Sequence, residues 1–242
     1  MHLHRFAEPM TGTNRRPSFG RDSVWLASAD VVAVLLAFIG QLILARALIS
    51  ESYGLFVIAV DLFATLFLLL DLGLPTLLAR DGPRNPSAIW PGMLRIYRLQ
   101  GLVVILFAPI VVSLVLSQSV HDGLMLIGAG VALVHIASYA PRAALRAAGD
   151  ARFESITKVI ERLMTTVGYA SLYFIDSSDV VAYAAVFFGG AIVGLILALI
   201  GAYWTCAKTS GHTKSSQLGS DWVSKKSLLF AALPFAITLG VL

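Results

Sequence analysis

Cysteine is nearly absent from these 242 residues: Cys206 stands alone, so no internal disulfide can form and no metal site can be built from thiolates. Charge is scarce too, at 13% Asp, Glu, Lys and Arg where soluble domains carry about a quarter. The spaced residues of common catalytic sites are missing: there is no His/Glu zinc spacing, no P-loop lysine and no G-x-S-x-G elbow. Ala79-Arg80-Asp81-Gly82 superficially resembles the D-G and A-R of lipid-alcohol phosphotransferases, but the order is reversed and no spaced aspartates follow. An enzyme is not expected, and neither is a cofactor or a metal. The first 22 residues lack the apolar core of a secretory leader and carry Arg5, Arg15, Arg16 and Arg21, so they read as a cytoplasmic tail. His2 and His4 fall in that tail and are not expected to hold metal.

What the chain has in abundance is apolar sequence: 57% hydrophobic residues and a mean hydropathy of +0.81. These residues come in long blocks. A helix apolar all round must be central to a large protein or lie in lipid, and this chain is too small to centre several of them. The reading is an all-α integral membrane protein, a six-helix transmembrane bundle followed by part of a seventh helix. The domains run 1–22 as tail, 23–207 as the six-helix lobe, 208–226 as a basic Ser/Thr/Gly-rich linker and 227–242 as the start of the last helix. Spans are expected at Ser23–Leu48, Tyr53–Leu78, Ile96–Leu116, Gly123–Tyr139, Leu163–Ile175 and Val180–Ala207. Pro109 makes the third kinkable, and Pro141 ends the fourth. The fifth holds only thirteen uncharged residues, so its helix must begin earlier, with Lys158 and Arg162 snorkelling to the interface. Gly190-x-x-x-Gly194 in the sixth allows close helix approach, through internal packing or a dimer face. The last run has sixteen residues where a span needs about 20, so that helix is short or truncated.

The pI near 9.4 does not point to nucleic acid, because the basic residues sit at the ends of apolar blocks and form no face. Of 18 Lys and Arg, 17 lie before the first span, after the second, after the fourth and after the sixth; Arg46 alone is on the other side. Cytoplasmic loops retain Lys and Arg, so the N-terminus is expected inside the cell, at the cytoplasmic (inner) membrane, with six crossings.

Charges inside lipid cost free energy and mark partners or wet cavities. Asp30, Asp61 and Asp71 are the candidates. Asp30 shares a helical stripe with Gln41 at 100° per residue, so the pair either lines a cavity where Asp30 takes a proton or sodium ion, or braces a neighbouring helix. Asp61 can pair with Arg46 and orient the first hairpin. Asp71, with Gly73 and Pro75, braces a bend or takes part in transport. Arg46 and Arg80, near opposite membrane faces, are either headgroup anchors or forked donors for phosphate oxygens. Arg142, Arg146 and the Lys158/Glu161/Arg162 group read as interfacial, with ushering of a headgroup inward as the lesser alternative.

Several of these residues also carry a likeness. Arg46, Leu48, Tyr53, Gly54 and Phe56 form an "aR-x-L-x-x-x-x-Y-G-x-F" turn, followed by Asp71-Leu72-Gly73-Leu74 and Arg80; Arg146–Glu161 and Pro234 agree further on. This succession resembles the polysaccharide transporter, or O-antigen flippase, group, related to multidrug exporters of the MATE type and to lipid II flippases. The resemblance implies two facing six-helix lobes around a cavity that opens alternately to each side, and a chain that here covers the first lobe. Its substrate would be polyprenyl-pyrophosphate-linked oligosaccharide, moved across the bilayer for surface polysaccharide synthesis, with a C-terminal half or a second copy as partner. The alternatives are a cation-coupled multidrug exporter, with Asp30 as its coupling carboxylate, and a non-transporting membrane remnant.

Overall fold

The computed structural model describes residues 19–71, 73–116 and 122–210. Among them the chain is α-helix joined by short turns and two single-turn 3-10 segments, with no strand. The helices are α1 (Phe19–Ala47), α2 (Ser50–Leu70), α3 (Leu74–Asp81), α4 (Ile89–Leu116), α5 (Asp122–Ala147), α6 (Ala151–Phe174) and α7 (Val180–Ser210). Most of the expected linker and all of the seventh span lie outside the described residues.

Four stretches are long and apolar enough to cross a membrane: Val24–Ala47, Pro86–Ser113, Gly123–Ala147 and Val180–Cys206. The expectation of six is therefore carried by four on length and composition. The other two long helices, α2 and α6, have 21 and 24 residues, and α6 holds Arg152, Glu154, Lys158, Glu161 and Arg162 in its first half. The lateral surface is what a bilayer requires. Ile105 and Leu106 of α4 are 71% and 72% exposed, and Val31, Val34, Leu35 and Phe38 of α1 are open as well. Water would penalise that arrangement at roughly 25 cal/mol per Å2, and lipid does not. The chain is a multi-pass membrane protein.

Two spans end differently from the sequence reading and the expected early start of a third is located, each for a physical reason. The second expected span is two helices, because Gly73 takes a left-handed φ of 65° and Pro75 starts α3 in its first turn. The fifth begins at Ala151, where Asp150 caps it by accepting from the Phe153 amide at 3.2 Å. The fourth does not stop at Pro141 but runs on to Ala147. Proline lacks the N–H that would bond the carbonyl four residues back, at Ala137. That carbonyl instead accepts the Tyr97 hydroxyl at 2.6 Å, so α4 supplies the missing donor and α5 continues.

The packing places α5 at the centre, against α2, α3, α4 and α7, while α1 lies mainly along α6 and meets its sequence neighbour α2 only near their junction. One apolar core gathers Leu74, Leu77, Ile89, Met93, Leu145 and Ala202 at the basic end of the bundle. A second gathers Leu44, Phe56, Phe63, Leu124, Tyr169 and Tyr183 at the opposite end. Gly190 and Gly194 of α7 serve internal packing: a Cβ on the first would strike Thr165 Oγ1, and on the second the Glu161 carboxylate. The small-residue motif thus brings α7 close enough to α6 to cover a buried charge.

Candidate functional site

The polar side chains of α1, α2, α5 and α6 converge between the two apolar cores, around two adjoining cavities. One, of about 400 Å3, is lined by Gln41 of α1, Tyr53 and Asp61 of α2, and Arg162, Thr166 and Tyr169 of α6. The other, of about 320 Å3, is lined by Asp30 of α1, Arg142 of α5, and Lys158, Glu161 and Arg162 of α6. Ala37 and Arg162 border both, so a polar path runs along the seam of α1 and α6. The seam is stitched by Thr166, whose hydroxyl donates to the Leu36 carbonyl of α1 at 3.0 Å.

Asp30 accepts from Lys158 Nζ at 3.1 Å, with its side chain 59% exposed. Gln41 accepts from the Tyr53 hydroxyl at 3.0 Å and lines the larger cavity with Asp61, so the shared stripe of Asp30 and Gln41 does face this polar path. Arg46 is exposed in the last turn of α1, where a cation suits the helix dipole; no ion pair joins it to Asp61 among the described residues. The structure does not bring that pair together. Asp71 is buried at the break between α2 and α3 and accepts from Gln100 Nε2 of α4 at 2.7 Å, which braces the bend. Arg80 turns its fork onto its neighbour Asp81, at 3.0 and 2.8 Å, and Arg84 approaches the same carboxylate at 3.6 Å. The hydrogen bonds from Arg80 hold the Asp81 carboxyl below its ordinary range. The Nε/Nη2 fork that Arg80 could offer to phosphate is therefore taken by Asp81.

A constellation that the sequence reading left at the interface lies inside. Glu161, 4% exposed, accepts from Arg142 Nη2 of α5 and sits 3.2 Å from His135 Nε2, also on α5. Arg142 is itself 9% exposed, and its Nε is buried without a hydrogen-bond partner. Two turns along α6 toward the basic end, Glu154 lies 3.1 Å from Arg146 and 3.5 Å from Lys158. The contact with Arg146 is at ion-pair distance without hydrogen-bond alignment. Arg162 differs from these cations. It stacks on the Phe187 ring at 5.7 Å, and no carboxylate pairs with it among the described residues. The signal for this site is present in the sequence as two stripes with helical spacing: His135, Tyr139, Arg142 and Arg146 on α5, and Glu154, Lys158, Glu161 and Thr165 on α6. Pairing one stripe with the other needs the fold.

Chemically, the cluster offers cationic donors in a recess walled by apolar helices, which suits an anion, and an arginine fork suits phosphate oxygens above others. Among the described residues, no group of His, Cys, Asp and Glu is arranged to hold a metal ion. No curated protein and no solved structure matches this chain. A family model does, over residues 19–239, and this spans every described helix: the chain belongs to the polysaccharide biosynthesis protein family.

Proposed function

We propose that this chain forms a membrane lobe that flips polyprenyl-pyrophosphate-linked oligosaccharide across the cytoplasmic membrane for surface polysaccharide synthesis. The observation that carries the reading is Arg162, a cation without a carboxylate partner among the described residues, shared by two polar cavities between helices that otherwise face lipid. A charge held that way costs several kcal/mol unless it has work to do, and a pyrophosphate is the ligand its geometry suits. Arg142 Nε adds a second donor without a partner in the smaller cavity's wall. In this mechanism α2 and α6 cross with the other four long helices, giving six passes with the N-terminus inside, as the 17-to-1 division of Lys and Arg supports. The sugar travels in the wet path, the isoprenoid stays in lipid, and a second lobe, from a C-terminal half or another copy, supplies the facing wall. A multidrug exporter would need Asp30 free to bind its coupling ion, whereas Lys158 engages it.

The test is reconstitution into liposomes, with a fluorescent lipid-linked sugar and reduction of the dye from outside. The chain, alone or with its second lobe, is expected to equilibrate the lipid between leaflets, and Arg162→Gln to slow it about tenfold or more. Undiminished flipping by Arg162→Gln would remove the proposed site. Proton-driven dye efflux lost in Asp30→Asn would replace the reading with the exporter.

A further inference from the structure

Glu161 occupies an odd position for a structural carboxylate. It borders a cavity in which cations outnumber carboxylates, and it holds by its own charge an arginine, Arg142, that still has a buried unused donor. We infer that Glu161 is a resident counter-ion, which keeps Arg142 in place while the cavity is empty and takes up a proton when a pyrophosphate arrives. The inference rests on the proposed function and adds a linkage between substrate binding and protonation at that site.

The surroundings of Glu161 set the direction. From α5 it faces His135, Tyr139 and Arg142; along α6 it has Lys158 and Arg162; α1 contributes Asp30 across the cavity; and α7 presents Gly190 and Gly194, which carry no charge. With the cavity empty, Arg142, Lys158 and Arg162 outnumber Asp30 and Glu161, so the carboxylate is held ionised by its neighbours. A pyrophosphate diester brings two negative charges to the same three cations. Each cation it engages is withdrawn from Glu161, and the like charge disfavours the ionised carboxylate. The proton enters on Glu161, with His135 at 3.2 Å as the neighbouring nitrogen through which it can pass. Linkage is reciprocal: if the anion promotes protonation, lower pH promotes binding of the anion by the same factor. Glutamine at this position keeps an oxygen to accept from Arg142 and cannot titrate.

The experiment is calorimetric titration of the protein in nanodiscs with a citronellyl-pyrophosphate-linked monosaccharide, whose two charges do not change between pH 6 and 8. Repeating it in buffers of different ionisation enthalpy counts the protons exchanged. The wild type is expected to take up a substantial fraction of one proton and to bind several-fold more tightly at pH 6 than at pH 8. Glu161→Gln is expected to bind at least as tightly as the wild type at pH 8, with no proton uptake and a flat profile. His135→Asn should retain the uptake. Binding by the wild type without proton exchange, or uptake that survives Glu161→Gln and vanishes in His135→Asn, overturns the linkage and leaves the pyrophosphate site standing. Failure of the wild type to bind the probe overturns both. The wild-type proton count needs no variant, so poor folding of Glu161→Gln does not shelter the inference.

Discussion

Removing the Arg142 side chain while keeping its bulk, as Arg142→Met, should destabilise the bundle by about 3 kcal/mol. Glu161 is 4% exposed, and its ion pair with Arg142 is among the most buried in the described structure. Deleting one partner of a buried pair costs about 3–5 kcal/mol, because the other charge is left without compensation. Two features place the expectation at the lower end. His135 remains 3.2 Å away and can share the charge, and the cavity beside Glu161 has room for water. At about 1.4 kcal/mol per decade, the unfolding equilibrium shifts roughly a hundredfold. The double variant Arg142→Met/Glu161→Met removes both charges at nearly constant volume, and should lie within about 1 kcal/mol of the wild type. The assay is reversible unfolding by SDS in mixed micelles, followed by helical ellipticity. A loss of less than about 1 kcal/mol in Arg142→Met, or a double variant no more stable than the single, would refute a buried charge left uncompensated.

Three further outcomes follow from other contacts. Gly194→Ala drives a methyl into the Glu161 carboxylate and should cost about 1–3 kcal/mol in the same assay, whereas Gly189→Ala, whose Cβ meets nothing within 4 Å, should be neutral or slightly stabilising. Gln100→Leu leaves Asp71 buried without its donor and should cost about 1–3 kcal/mol, most of it recovered by Asp71→Leu in the same chain. Asp81 has a lowered folded-state pKa, so the stability it contributes is present above the ordinary carboxylate range and is lost as pH falls through the folded value. With Arg80 exposed the effect is small and screened by salt; Asp81→Asn should flatten the acid limb of stability against pH, and an unchanged limb would dismiss the clasp.

Much of the architecture could be read from hydropathy because it depends on composition within each helix. The long blocks became α1, α4, α5 and α7, and the shortage of uncharged residues before Ile175 foretold that α6 starts early. Pro141 misled because its effect was judged within its own helix. The Tyr97 hydroxyl that rescues the Ala137 carbonyl is 40 residues away in sequence. The site divided along the same line. Asp30, Gln41 and Asp61 were legible as polar residues in apolar helices, and they do border the polar path. Arg46 and Asp61 share an end of the bundle by chain order, yet α1 lies against α6, and proximity along the hairpin does not become contact. Glu161, His135 and Arg142 were hidden for the opposite reason. A charged stretch at a helix start reads as interface until the partner stripe on α5 is known, and nothing local specifies it.

The pair formed by Asp30 and Lys158 has a consequence for biogenesis. The two residues are 128 positions apart, and a ribosome adding about 5–20 residues per second makes that interval in about 6–25 s. For that time the first helix must sit in the bilayer, or be sheltered by the insertion machinery, with its carboxylate unmatched. A nascent chain arrested before residue 158 should therefore cross-link from position 30 to an insertase or chaperone, and release it once α6 emerges.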